Sequence, residues 1–268
     1  EKGKVIGRFY LDMHPRDGKY QHAAQFSITS GLTDVQLPEA ALVCNFPNTL
    51  MEHTDVETFL HEFGHLMHDL FAGVDQRRVY FSGTKTELDF VEAPSQMLEE
   101  WVWDAKTLAT FARNEKGEVI PPELVKKMVN ARDFGKALWT KHQLFYAALS
   151  LGFYNQDPAL LEIDKKMAEI QANYSPFGYV NDTYFYASFG HLNGYSSLYY
   201  TYMWSLVIAA DMHSEFLKKG LRNSELANRY RETVLAPGGK KDAAQLVEDF
   251  LGRPYGFEAF ANDLAPSK

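Results

Sequence analysis

DVETFLHEFGHLMHDLFAG, residues Asp55–Gly73, is the stretch that decides the fold. Val56, Phe59, Leu60, Phe63, Leu66, Met67, Leu70 and Phe71 recur at helical spacing, so the segment predicts a largely buried helix over 54–72. Thr54 or Asp55 can cap its start, and Gly73 can end it. His61 and His65 are four residues apart and share one face, one turn apart. Two imidazoles so arranged can hold one zinc ion. Glu62 lies about 100° around the helix from His61, beside the metal without ligating it, where a general base for water belongs. Buried polar groups on such a helix need partners, and a metal supplies them.

A catalytic zinc has three protein ligands and one open position. The histidine version of the third ligand would need a glycine at 68 and a histidine at 71. The chain has His68 and Phe71, which excludes it. His68 is read as a packing or substrate-side residue. The alternative is a glutamate from the next helix, ELDFVEAPSQMLEEWVWD (Glu87–Asp104), where Glu92, Gln96 and Glu99 fall along one side. Glu92 is the expected ligand. Glu99 is expected to orient a ligand histidine, and Glu100 to sit on a solvated face. Between His191 and Tyr202 lie Tyr195, Tyr199 and Tyr200; Tyr195, Tyr199 and Tyr202, spaced by four and three, predict one helix face. That run reads either as an aromatic core stripe or as hydroxyl donors for a peptide carbonyl.

HEFGHLMH (61–68), FSGT (81–84) and DFVEAPSQMLEEWVW (89–103) together resemble the thimet oligopeptidase / oligopeptidase A family of zinc metallopeptidases. The resemblance extends to GRFYLDMHPRDGKYQHAAQF (7–26), ALVCNFP (41–47), FGHLNGYSSLYYTYMWS (189–205) and LAPGGKKDAAQLVEDFLGRPYGFEAF (235–260). It implies a mainly α chain with a small β-sheet, a zincin-like catalytic domain over 1–268. His61, His65 and Glu92 would ligate one zinc ion, with Glu62 as catalytic base. It also implies that His191, Tyr195 and Tyr202 act on the reacting carbonyl, Tyr202 as main oxyanion donor, and that Tyr199 and Gly194 bind substrate. Where many members carry two adjacent glycines before the first tyrosine, this chain has Asn193-Gly194. Members are more than twice this length, so the resemblance further implies that an N-terminal helical half, one wall of a substrate channel, lies outside this chain. A surface left without that wall would be apolar, which predicts self-association or a separate partner half.

The expected activity is hydrolysis of peptide bonds in short oligopeptides. The rivals are a peptide-binding module with structural zinc, and a catalytic half that needs its partner. Endopeptidase and dipeptidyl carboxypeptidase action look alike in these residues. Arg16, Lys19 and Arg78 are candidates for gripping a substrate carboxylate, a solvated surface being the expected role of each. With net charge −8 and no dense basic block, nucleic acid is not an expected partner. No apolar run reaches 18 residues, so no membrane span is expected. The single cysteine, Cys44, is expected to be buried, and the expected compartment is cytoplasmic, with the periplasm as alternative.

Strands are predicted at 4–12, 23–29 and 40–46, joined by a turn at 15–18 and a loop at 31–38. Helices are predicted at 54–72, 88–113, 121–132, 134–155, 158–173, 191–219, 223–234 and 241–251. Trp139, Phe145, Tyr146, Leu149 and Phe153 are expected as a core stripe.

Overall fold

Strands β1 (Arg8–Asp12), β2 (Ala24–Thr29) and β3 (Glu39–Val43) form a sheet in the order β1-β3-β2, with β1 parallel and β2 antiparallel to β3. The computed structural model describes residues 3–265, so the expected 1–268 domain extends at both ends beyond the described residues. The central strand buries Ala40 and Leu42 against Leu66 and Leu70, so the sheet packs on helix α1 (His53–Val74) through one face. Cys44 lies in this cluster, buried as expected. The helix is capped at Glu52, two residues before Thr54 and three before Asp55, the expected caps; the Glu52 amide donates to the Asp55 carboxylate.

After a turn through Glu87–Val91 comes α2 (Ala93–Glu99), with a proline in its first turn, then a 3-10 turn (Glu100–Trp103) and α3 (Ala105–Leu108). The single helix expected over 88–113 is thus broken twice. Pro94 has no amide hydrogen, which suits a first turn and not a helix interior. Asp104 is extended, and its carboxylate accepts from the Thr107 amide, so it starts a new helix instead of continuing the old one. Next come α4 (Pro122–Asp133), α5 (Lys136–Tyr154), α6 (Ile163–Tyr174), α7 (Phe185–Ser188) and α8 (His191–Gly194). The chain continues as α9 (Thr201–Lys219), α10 (Ser224–Tyr230), a π-turn (Arg231–Leu235), α11 (Ala243–Leu251) and α12 (Glu258–Leu264).

The largest core joins Phe90 and Met97 to Met212 and Phe216 of α9 and Phe250 of α11. A second joins Phe145 and Leu149 of α5 to Met167 and Ile170 of α6, with Phe189 and Tyr199 against them. Trp139 is not part of it: half of its surface is exposed. Glu100 is likewise not a free solvated charge, since Arg132 pairs with it and stacks over Trp103. Lys19, expected at the surface, is buried; its ammonium donates to the carbonyls of Asp12, His14 and Cys44 and pairs with Asp12. Arg16 is exposed and pairs with the same aspartate. Among the described residues no helix is long and apolar enough to cross a membrane.

Candidate metal centre and active-site cleft

The helix α1 carries His61, Glu62 and His65 into an open cleft of about 800 Å³. Glu92, at the N-terminal end of α2, reaches the same point. Its Oε2 lies 3.3 Å from His61 Nε2 and 3.1 Å from His65 Nε2. One ligand atom from each of the three falls within 4.8 Å of the other two. A tetrahedral ion with ligands at about 2.0–2.1 Å spaces neighbouring ligand atoms by about 3.3 Å. The residues present therefore fit a zinc ion, with two imidazoles and one carboxylate leaving a fourth position open.

This meeting depends on Gly64. A Cβ built there would lie 2.6 Å from Ser95 Cα and 3.1 Å from the Pro94 carbonyl. Only a glycine lets α2 approach α1 closely enough for Glu92 to meet both histidines. Ser95 then donates to the Glu92 carbonyl (2.9 Å) and to its carboxylate (3.3 Å). Glu99, one helix length on, lies 2.6 Å from His61 Nδ1. With the Nδ1 proton on Glu99, the Nε2 lone pair faces the centre. Burial opposes the charged form of His61, but the hydrogen bonds to Glu92 and Glu99 outweigh it and hold the ring at about 10. Burial also opposes the charge on Glu92, yet the two histidines hold its carboxyl well below the usual range. Glu99 goes the other way: burial raises it.

Glu62 is only 8% exposed and lines the cleft next to these ligands. Cys44 lies near it; burial first, then the charge of Glu62, pushes that thiol up to about 12, so it stays an inert neutral group. His68 is fully buried, neither ring nitrogen has a partner, and burial lowers it to about 3, so it packs as a neutral ring away from the centre.

The tyrosines arrive by a route the spacing did not predict. They do not share a helix: α8 ends at Gly194, Ser197 takes a left-handed backbone (φ 61°), and α9 begins only at Thr201. The turn between folds the rings together, with Tyr195–Tyr202 centroids 5.3 Å apart, Tyr199–Tyr202 5.0 Å, and His191 against all three. Tyr195 donates to Glu92 Oε1 (3.0 Å) and so steers the carboxylate that meets the two histidines. Burial, then the charge of Glu92, raises Tyr195 to about 12 and Tyr202 further, so both phenols keep their protons. Burial lowers His191 and keeps it neutral. Gly194, His191, Tyr195 and Tyr202 line the cleft. Tyr199 does not: it is 7% exposed and donates to Gln143 Oε1 (3.0 Å), supporting the cluster from behind. A role for it in direct contact with substrate is thus not supported by its position.

Several bonds that build the site had no signal in the sequence. Thr201 donates to the Leu88 carbonyl (2.7 Å), Ser205 to the Asp89 carbonyl (3.0 Å) and Tyr200 to the Asp89 carboxylate (2.8 Å). Gln96 donates to the Tyr202 carbonyl (3.0 Å). These bonds lock the tyrosine helix to the segment that presents Glu92. The opposite rim is formed by Tyr20, His22, Ala24 and Gln25, with Thr84 beside them. None of Arg16, Lys19 and Arg78 lines the cleft.

Residues 1–266 match the model of peptidase family M3. The chain is 36% identical to saccharolysin of Saccharomyces cerevisiae, over 97% of this chain and 38% of that protein. It is 35% identical to a thimet-like oligopeptidase of Dictyostelium discoideum, over 94% of this chain and 39% of that protein. It therefore spans under two-fifths of the length of these relatives. The fold is similar to that of Trypanosoma cruzi metallocarboxypeptidase 1 (TM-score 0.63, 14% identity, 97% of this chain and 56% of that one). It is also similar to a putative oligoendopeptidase F of Bacillus anthracis (TM-score 0.61, 15% identity, 95% of this chain and 39% of that one).

Proposed function

Because this chain belongs to peptidase family M3, we propose that it is a zinc-dependent metallopeptidase that hydrolyses peptide bonds in short oligopeptides. The observation that carries this reading is the meeting of His61, His65 and Glu92 at zinc-ligand spacing, with Glu62 in the same cleft. Zinc, when bound there, supplies a Lewis acid that acidifies water and polarises a carbonyl.

The chain's own groups do the rest. Glu62 takes a proton from the attacking water and passes it to the leaving amine. Tyr202 donates to the developing oxyanion. Tyr195 has its proton committed to the buried carboxylate of Glu92, whereas Tyr202 donates only to the neutral Tyr195 hydroxyl and can turn its proton to the oxyanion instead. His191, neutral and packed on both rings, holds them in position and can add a second hydrogen bond. Gly194, beside Tyr195 on the cleft wall, gives room for substrate backbone. The outer edge of β2 runs past the site and can pair with an extended peptide, which would bind backbone with little regard to sequence.

The test is cleavage of a quenched fluorescent peptide of about nine residues, the length an edge strand can grip, with metal content measured on the same sample. Cleavage that chelation abolishes and zinc restores is the expected result. One zinc per chain without cleavage would instead mark a catalytic portion that needs the rest of the relatives' length, and absence of both would overturn the reading. The cut position separates endopeptidase from dipeptidyl carboxypeptidase action.

A further inference from the structure

β2 is an outer strand of the sheet, and Ala24 and Gln25 at its start form part of the cleft wall. Besides its ladder to β3, it is tied to the helix of His61 and His65 by the carboxylate of Asp69. Asp69 sits on α1 one turn beyond His65 and is 1% exposed. Its Oδ2 accepts hydrogen bonds from Gln25 Nε2 and from Ser27 Oγ, alternate residues of β2 that face the helix. Its Oδ1 faces Gly83, whose backbone is left-handed (φ 80°) and where a Cβ would lie 2.8 Å from that oxygen. The loop Ser82–Thr84 thus closes onto the same carboxylate, and Thr84 at its end lines the cleft.

A carboxylate is an expensive group to bury, and an apolar residue would fill the same space at lower cost. What an apolar residue cannot do is fix where β2 sits. Directional bonds from one acceptor to two strand residues set both spacing and register, because a one-residue slip would turn Gln25 and Ser27 to the other face. The acceptor stands on the helix that carries His61, Glu62 and His65, so the strand is positioned relative to the metal ligands themselves.

We propose that Asp69 is a positioning residue that sets edge strand β2 and loop Ser82–Thr84 against the metal-binding helix, and thereby sets affinity for peptides long enough to lie along β2. This rests on the peptidase reading above. The test compares wild type with Asp69→Leu and with the milder Ser27→Ala, should the first fail to fold. Two substrates are used: a peptide of about nine residues and a short one spanning only the residues next to the cut. The expected result is a KM for the long peptide raised about tenfold in Asp69→Leu, equivalent to about 1.4 kcal/mol of lost binding, and less in Ser27→Ala, which removes one of the two bonds. The short substrate's KM, both kcat values and zinc content stay near wild type. Amide exchange quickens over 24–29 and 82–84 and not in α1. Equal losses on both substrates, or loss of zinc, would reduce Asp69 to a general structural role and overturn the proposal. Unchanged KM for the long peptide would also overturn it. If wild type cleaves neither substrate, metal content decides the peptidase reading as above, and amide exchange over 24–29 and 82–84 decides separately whether Asp69 positions the strand.

Discussion

Glu62 and Glu92 are both glutamates of one cleft, beside the same two histidines, and the proposed mechanism gives them different work. Glu92 is fixed by Ser95, Tyr195, His61 and His65, as a ligand must be. Glu62 lines the cleft, as a base must. Glu62→Gln is expected to retain zinc and lose about 100-fold or more in turnover, the usual worth of a general base. Wild-type-like activity in that variant would remove Glu62 from the mechanism. Tyr202→Phe is expected to lower kcat about 100-fold with a smaller change in KM. A change confined to KM would make Tyr202 a binding residue. His61 carries a testable pH dependence. Against the cost of burial, its bonds to Glu92 and Glu99 hold its pKa well above the usual imidazole value, so the ring is protonated at neutral pH, and a metal must displace that proton. Zinc affinity should then rise with pH through the neutral range and level off above the pKa. Titration calorimetry in buffers of different ionisation heat should show about one proton released per zinc at neutral pH. No release would mean that His61 is already neutral.

At the scale of elements, the approach of α1 to α2 is the feature on which the centre depends. Gly64→Ala puts a methyl 2.6 Å from the Ser95 backbone, which cannot yield as a side chain can. It is expected to destabilise the fold by about 1–3 kcal/mol, in the range of overpacked interiors, and to weaken zinc binding as Glu92 is pushed away. Thermal melts with metal analysis check both. Gly194→Ala is the contrasting case, since nothing lies within 4 Å of the added carbon. Its melting temperature should match wild type, so any loss of peptide affinity would report on substrate contact alone. The α1 helix was legible from its apolar period, although its cap falls at Glu52 and not at Thr54 or Asp55. The helix expected over 88–113 was not, because Asp104 offers its carboxylate to the Thr107 amide, a local bond that competes with helix continuation and leaves no trace in periodicity. The turn at Tyr195–Tyr200 was missed for a related reason: tyrosines at helical spacing look the same whether a helix or a bend brings them together.

For the molecule as a whole, the metal would join α1 to α2, and α2 leads through Gln96 to the tyrosine helix. Chelation is therefore expected to lower the melting temperature as well as abolish cleavage, because a ligand of the folded state alone stabilises it. An unchanged melt would mean that the site is not loaded or not coupled to the fold. The chain spans 38–39% of the length of its saccharolysin and thimet-like relatives, and it exposes large apolar side chains such as Phe134 (92% exposed), Leu160 and Phe26. Concentration-dependent self-association is the expected behaviour, and light scattering that gives a monomer across a wide concentration range would contradict it.

The sequence by itself determined the candidate ligand types, the candidate base and the helix that carries them, because four-residue spacing on a helix fixes which side chains share a face whatever surrounds it. It also offered Glu92 as the candidate third ligand and Glu99 as the partner of a candidate ligand histidine, and the structure brings Glu92 to both histidines and Glu99 to His61. Only the tertiary structure decided that Gly64 admits α2, that Tyr195 steers Glu92 while Tyr199 turns away to Gln143, and that Asp69 holds β2 beside the cleft. Those bonds join residues tens to more than a hundred positions apart. Their partners are chosen by how elements pack, and local spacing holds no information about that choice.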